Sequence, residues 1–406
     1  MKFKDLKLNK QLLEAISYMN FVEATPVQEM AIPKILDGQD LIACAQTGTG
    51  KTAAFILPVL NYMAENNSKG NNALVIVPTR ELALQIDQEI QGFAYFLGVS
   101  SIPIYGGGDG SNFDTQKRAL SEGAGIIVAT PGKLISHMNM GYTNFKDLNF
   151  LILDEADRML DMGFYEDIQK IITYLPKKRQ NLMFSATMPP KIRKLSKEIL
   201  NDPAEINIAI SKPAAGVLQA AYLAHDAQKI PLLNQLIADK PNYKSILIFS
   251  STKKKVHDIQ RALKNKDFKV ESISSDLEQS EREDVLNRFR SKKTRVLVAT
   301  DVISRGIDIK DINLVINFDV PDDAADYVHR VGRTARADTT GVALTLVNEN
   351  DMYSFKQIED LMEQEVMKLP LPPHIGEGPE WKVPKFKPRK KGFQKSGGKG
   401  KGRYKK

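Results

Sequence analysis

The chain has 406 residues, 42% hydrophobic and 26% charged, the balance of a globular protein of two or three domains rather than of a disordered chain. A single cysteine, Cys44, excludes a disulfide framework and a cysteine-based zinc site, and no apolar run approaches the ~20 residues of a membrane span. The net charge of +8 is uneven: residues 382–406 carry 12 Lys/Arg and no acid, which leaves 45 basic and 49 acidic residues, about −4, on the body. The N-terminus lacks the apolar core of a signal peptide, so a soluble cytoplasmic protein is expected.

In chain order, short runs rich in Val, Ile and Leu predict strands at 40–45, 73–78, 125–129, 150–153 and 181–185. A second series falls at 245–250, 295–299, 314–318 and 341–347. Neither series alternates with polar residues, which is how strands of a parallel sheet covered on both faces read. Amphipathic stretches at 52–60, 79–96, 165–174 and 352–367 predict helices. The fold class expected is α/β, two tandem parallel-sheet domains joined by right-handed crossovers. The boundaries expected are 1–209 for the first domain, 210–216 for a Pro- and Gly-bearing linker, 217–366 for the second domain and 367–406 for a basic disordered tail.

Between the first strand and its helix lies Ala45-Gln46-Thr47-Gly48-Thr49-Gly50-Lys51-Thr52. Glycines there let backbone N–H groups turn onto phosphate oxygens, and a helix N-terminus adds positive potential. Lys51 is placed to reach the β and γ phosphates, and the Thr52 hydroxyl to bind Mg²⁺. The strand at 150–153 ends in Asp154-Glu155-Ala156-Asp157. Ligands of open α/β sheets bind beyond such strand ends, and acids gathered there call for a cation. Asp154 is placed to hold Mg²⁺, and Glu155 to orient and deprotonate an attacking water.

From these residues on, the motifs resemble in order and spacing those of the DEAD-box RNA helicases of superfamily 2, over roughly residues 1–366. Thr25-Pro26-Val27-Gln28 with Phe21 resembles the Q motif, so that Gln28 would read adenine and Phe21 would stack on it; Phe3 stands where the family has an upstream aromatic. Thr79 and Arg80 lie in a stretch similar to motif Ia, Gly107 in the glycine pair, and Thr130 in motif Ib, where Lys133 replaces the family's arginine. Ser185-Ala186-Thr187 resembles motif III, which implies hydrogen bonds to Asp157 that couple nucleotide state to closure. In the second half, Gln279 and Arg282, Thr300, and Asp308 match RNA-contacting or ribose-contacting positions, and 329–336 resembles motif VI with Arg333 and Arg336 as arginine fingers.

The resemblance implies RecA-like domains of the P-loop NTPase fold, with ATP and Mg²⁺ held by Gln46, Thr47, Gly48, Thr49, Gly50, Lys51 and Thr52. It also implies RNA-dependent ATP hydrolysis by a monomer that unwinds or remodels short duplexes, with backbone contacts at Thr79, Arg80, Gly107, Thr130, Gln279, Arg282 and Thr300. The basic tail, with Phe386, Phe393 and Tyr404, is expected to add RNA affinity. An ATP-gated RNA clamp without unwinding is the alternative. A DNA helicase is disfavoured by the Q-motif-like and acidic segments. The short flanks and Lys/Gly-rich tail are similar to the bacterial RhlE-type subgroup.

Overall fold

Apolar β-branched runs too short for helices become strands, and the amphipathic stretches between them return across the sheet as helices. The computed structural model describes residues 1–384 except 46–48, 108–111, 209–216, 265, 267, 275, 301–311 and 335–340, so the expected linker at 210–216 lies outside the described residues. In the first domain α1 (Lys10–Tyr18) and α2 (Pro26–Leu36) precede β1 (Leu41–Cys44), α3 (Lys51–Glu65), β2 (Asn71–Ile76), α4 (Arg80–Phe93), β3 (Ser101–Ile104), α5 (Phe113–Glu122) and β4 (Gly125–Ala129). There follow α6 (Pro131–Asn139), β5 (Phe150–Leu153), α7 (Ala156–Asp161), α8 (Tyr165–Thr173), β6 (Gln180–Ser185), α9 (Pro190–Ile199) and β7 (Ala204–Asn207). The sheet is parallel, in the order β3-β4-β2-β5-β6-β1-β7.

The second domain contains β8 (Val217–Leu223), α10 (Asp226–Ala238), β9 (Ile246–Phe249), α11 (Lys253–Lys264), β10 (Val270–Ile273), α12 (Gln279–Arg290) and β11 (Val296–Ala299). It continues through β12 (Leu314–Asn317), α13 (Ala324–Val331), β13 (Gly341–Val347), α14 (Met352–Met362) and β14 (Met367–Leu369). This sheet is also parallel, in the order β10-β11-β9-β12-β13-β8-β14.

Each sheet has two cores because successive side chains point to opposite faces. Leu41, Ala43, Val75 and Ile152 pack against α2, α3 and α4 on one face, while Ile42, Leu74, Ile76 and Leu151 pack with residues of α6 to α9 on the other. The second sheet repeats this, with Leu247, Phe249 and Val315 on one face and Ile246, Ile248 and Ile316 on the other. Burying each such side chain contributes about 1.5–3 kcal/mol, so the central strands anchor the loops at their ends.

The expected central strands are present. Strands β3, β7, β8, β10 and β14 had no apolar run to announce them: β3, β7, β10 and β14 are sheet edges, and β8 is largely half-buried. The final helix stops at Met362 rather than 367, where Glu363 adopts a left-handed φ of 51°.

The expected end of the second domain at 366 falls inside packed chain. β14 pairs with β8, and the Gln228 side-chain amide donates to the carbonyls of Ile375 and Glu377 at 3.0 Å. Trp381 meets the Phe355 ring edge-on at 6.1 Å, with the Lys368 ammonium 4.7 Å from its own ring centre. Trp381→Ala is therefore expected to destabilise the second domain by about 2–3 kcal/mol, with Trp381→Phe recovering part of the loss, as read by thermal melting.

Candidate active site

The carboxyl ends of the first sheet divide into two groups. The ends of β1, β5 and β6 carry the glycine-rich loop, the acids and Ser185, while the ends of β2, β3 and β4 carry Thr79, Gly107 and Thr130.

At the first group, Gly50 caps α3 with φ +87°, and a Cβ on it would lie 2.4 Å from the Gln28 side-chain nitrogen, so only glycine fits. The Lys51 ammonium is buried and donates to the carbonyl of Ala45 at 2.8 Å, folded back over the loop. Thr52 follows in the first turn, half-buried. Gln46, Thr47 and Gly48 lie outside the described residues, and Thr49 borders them.

Gln28 has two bonds of its own: its Oε1 accepts from the Thr25 amide at 2.9 Å, and its Nε2 donates to the carbonyl of Gly50 at 2.9 Å. The side chain expected to read adenine thus ties α2 to the phosphate loop. Phe21 is partly exposed, edge-on to both Phe3 and Phe93 at 6.1 and 5.5 Å. Phe3, at 2% exposure, is core.

Asp154 is buried at the end of β5, where its Oδ1 accepts from the Glu155 amide at 2.9 Å. Burial pushes its carboxyl up to about 7, against the Lys51 ammonium that favours ionisation and with Glu155 and Asp157 adding to the rise. Lys51 faces Asp154 while Arg158 takes Glu155, and a divalent cation held by Asp154 and the Thr52 hydroxyl would offset charge that remains at the buried carboxyl. Among the described residues no group of three or more His, Cys, Asp or Glu forms a metal cage. An ion such as Mg²⁺ is ordinarily held by one or two protein oxygens, waters and substrate phosphates.

Glu155 adopts a left-handed backbone, φ 52°, ψ 49°, rare for a non-glycine and typical of strain kept at functional turns. Its Oε2 lies 2.9 Å from the Arg158 guanidinium, both side chains nearly buried. Asp157 is bound to the end of β6: its Oδ2 accepts from the amide and the hydroxyl of Thr187, both at 2.8 Å. The Asp157 amide donates to Ser185 Oγ at 3.3 Å, and the Ser185 hydroxyl donates to the Thr187 carbonyl at 2.7 Å.

The second domain faces these acids with α13. Glu155, Asp157 and Thr187 share a cleft with Asp326, His329 and Arg333. His329 is held down to about 4, first by burial and then by the Lys51 and Arg333 cations, while Asp157 and Glu155 pull the other way. Arg330 points instead into its own domain, donating to Asn317 Oδ1 at 3.1 Å and the Asp319 carbonyl at 2.8 Å, with its guanidinium 5.0 Å from the centre of the Phe249 ring. Asp308 and Arg336 lie outside the described residues.

At the second group, Thr79 caps α4 by accepting from the Leu82 amide at 3.3 Å, and Thr130 precedes α6 with its amide donating to the Ile104 carbonyl at 2.9 Å. Arg80 donates to the carbonyl of Gly107 at 3.2 Å, covers the Tyr105 ring at 4.4 Å, and pairs across the domains with Glu283 of α12 at 2.8 Å. Sequence reasoning missed Arg158, Glu283 and Tyr105, whose partners become neighbours only on folding. Lys133, at the departed position, stands 5.4 Å over Phe113. Arg282 is half-buried on α12, Gln279 is that helix's first residue, and Thr300 follows β11.

Residues 25–195 match the family described as DEAD/DEAH box helicase, and residues 228–338 match the helicase conserved C-terminal domain. The chain is 39% identical over 379 residues to the DEAD-box ATP-dependent RNA helicase CshA of Geobacillus kaustophilus, covering 93% of this chain and 80% of that protein. It is 39% identical to the ATP-dependent RNA helicase DeaD of Haemophilus influenzae over 92% of this chain and 60% of that protein. Among solved structures, S. cerevisiae Dbp5 bound to RNA and ADP BeF3 aligns with a TM-score of 0.80 at 30% identity, over 91% of this chain and 95% of that one. Mss116p bound to ssRNA and AMP-PNP also scores 0.80, at 28% identity over 92% and 81%. A DEAD box protein from Methanococcus jannaschii scores 0.53 at 38% identity, over 91% and 99%.

Proposed function

Since the chain belongs to the DEAD-box ATP-dependent RNA helicases, an ATP-hydrolysing and RNA-dependent family, we propose how its own residues divide that work. Lys51 and the loop around it hold the ATP phosphates, Phe21 and Gln28 border the base, and Asp308 meets the ribose. Asp154 and Thr52 hold Mg²⁺, which when bound would offset phosphate charge. Glu155 takes the proton of the attacking water, while Arg158 fixes the carboxylate that receives it. Arg333 and Arg336 approach from the other domain and stabilise charge on the transferred phosphoryl group.

The observation that carries this reading is the shared cleft: Glu155, Asp157 and Thr187 from one sheet face His329 and Arg333 from the other. Neither domain alone assembles both halves. ATP therefore favours closure, and RNA that bridges Thr79, Arg80, Gly107 and Thr130 on one domain to Gln279, Arg282 and Thr300 on the other favours the same closed state. Two ligands that prefer one conformation bind cooperatively. The TM-scores of 0.80 with the Dbp5 and Mss116p chains, both bound to RNA and a nucleotide analogue, support an arrangement of the two domains in which both ligands are held. We assign the active unit to a monomer of the cytoplasm, with a basic tail that tethers RNA without reading sequence.

The deciding experiment measures ATP turnover with and without RNA beside strand displacement of a short duplex. RNA-stimulated turnover with displacement is expected. Turnover without displacement would leave an RNA clamp, and turnover indifferent to RNA would overturn the cooperative closure.

Asp157, Ser185 and Thr187 transmit closure to the RNA side. Thr187→Val removes one hydrogen bond to a charged acceptor and keeps the shape, a loss of about 1.5–3 kcal/mol in coupling. Strand displacement is expected to fall at least roughly tenfold with ATP turnover within a few-fold of wild type. A parallel fall of both rates would refute the coupling role.

A further inference from the structure

Away from the cleft, the second domain gathers positive charge on the rim at the amino ends of β9, β10 and β11. Segments 239–244, 264–269 and 290–295 hold nine Lys/Arg and two acids, a net +7 on a body whose total is about −4. Arg295 draws these segments together. Its guanidinium donates to the carbonyls of Ile237, Lys240 and Tyr243 at 3.0, 2.6 and 2.8 Å, and its amide donates to the Lys269 carbonyl at 3.1 Å. The Lys293 amide closes the third turn on the Arg288 carbonyl at 2.9 Å, with Lys292 at a left-handed φ of 59°.

The other eight cations, Lys240, Lys244, Lys264, Lys266, Lys269, Arg290, Lys292 and Lys293, are exposed. None of them is in an ion pair with a described residue, whereas Lys356 pairs with Asp360 at 3.1 Å and Lys194 with Glu198 at 3.9 Å. Glu271, on the adjoining strand β10, is taken by Arg288 at 2.9 Å and Thr294 at 2.8 Å. Two half-buried aromatic rings stand among the cations, Tyr243 under Lys240 and Phe268 under Arg295, each at 5.8 Å. Like charges assembled without counter-charge repel one another and oppose folding, so a polyanion that covers them gains what the fold forgoes.

We propose that this rim is a second RNA-binding surface, holding the phosphate backbone of RNA that continues beyond the strand-end contacts at Gln279, Arg282 and Thr300; it rests on the RNA path proposed above. The four-residue strands β9 and β11 separate it from the strand ends that carry Ser250 and Thr300, about 13 Å at ~3.3 Å per residue. A single-stranded stretch bridging Thr130 and Thr300 would thus leave its flanking duplex within reach of the rim, and lysines contacting phosphate would add affinity without sequence preference.

The test is a Lys264→Gln, Lys266→Gln, Lys292→Gln, Lys293→Gln variant of the full chain, with a charge-matched control on the other domain (Lys34→Gln, Lys146→Gln, Lys177→Gln, Lys178→Gln). Binding is measured for a duplex with a single-stranded extension and for a short single strand that spans only the strand-end RNA contacts. The rim variant is expected to bind the extended duplex roughly tenfold more weakly, with a salt slope shallower by about 1 per contacting lysine. Its affinity for the short strand and its RNA-saturated ATP turnover should match wild type, and the control should lose nothing comparable. Equal losses for both RNAs, equal losses in the control, or no loss at all would each overturn the proposal. A paired Lys292→Gln, Lys293→Gln variant, showing about half the change in slope, guards against misfolding of the fourfold one.

Discussion

Replacing Glu155 by glutamine is expected to lower RNA-stimulated ATP turnover by about 10²–10⁴-fold, the share that a positioned general base supplies. The amide has the shape of the carboxylate and keeps an oxygen for the Arg158 guanidinium, now 2.9 Å away, so the left-handed turn at φ 52° should survive. What disappears is the basic lone pair. ATP and RNA should therefore still bind, and bind more durably together, because the closed state no longer discharges itself. Single-turnover hydrolysis beside fluorescence measurements of nucleotide and RNA affinity reads both effects. Turnover within a few-fold of wild type would mean that another group takes the proton. Arg158→Lys, which keeps the charge but changes its geometry, should lower kcat with little effect on the KM for ATP.

The second large effect is expected at Arg333. Its side chain lines the cleft just past the end of α13, with Glu155 and Asp157 of the first domain. Removing an arginine finger costs about 10³–10⁵ in rate where the charge on the transferred group is otherwise unmet. Arg333→Ala should therefore lose most of kcat while the first domain still binds ATP. Arg333→Lys should recover little, because an ammonium lacks the planar fork. RNA affinity in the presence of a non-hydrolysable ATP analogue should also weaken, since closure loses a contact that only the nucleotide-bound state makes. An Arg333→Ala enzyme with normal kcat and a raised KM would show that this residue binds substrate without acting on the transition state.

Much of this site was legible before folding because its chemistry is local. Gly50, Lys51 and Thr52 must follow one strand and open one helix for backbone amides and a helix N-terminus to meet a phosphate, and the acids from Asp154 to Asp157 must end another strand. Such constraints fit in a few consecutive residues, so residue type and spacing carry them. The central strands were legible for a related reason: burial on both faces leaves an unbroken apolar run. Edge strands such as β3 and β10 lose that signature because one side needs no cover.

Other features depended on residues far apart in the chain. Gln28 is 22 positions from Gly50, yet its amide is bound to that loop's carbonyl as well as placed for a base. Arg80, expected as an RNA contact, has its guanidinium divided among Gly107, Tyr105 and Glu283, and the last of these belongs to the other domain. Phe3 is read from sequence equally well as a core residue or as the family's upstream aromatic, and its burial to 2% exposure places it in the core, edge-on to Phe21. The lysine rim is spread over three segments that look like ordinary solvated turns until Arg295 draws them together.

By itself, then, the sequence determined the class of fold, the order of the motifs and the chemistry at strand ends, because those rest on periodicity and on neighbours within a few residues. Only the tertiary structure decided which acid is buried, which arginine faces the cleft and which faces inward, and where charge accumulates. Those depend on desolvation and on partners brought from distant positions, and neither quantity exists until the chain has closed on itself.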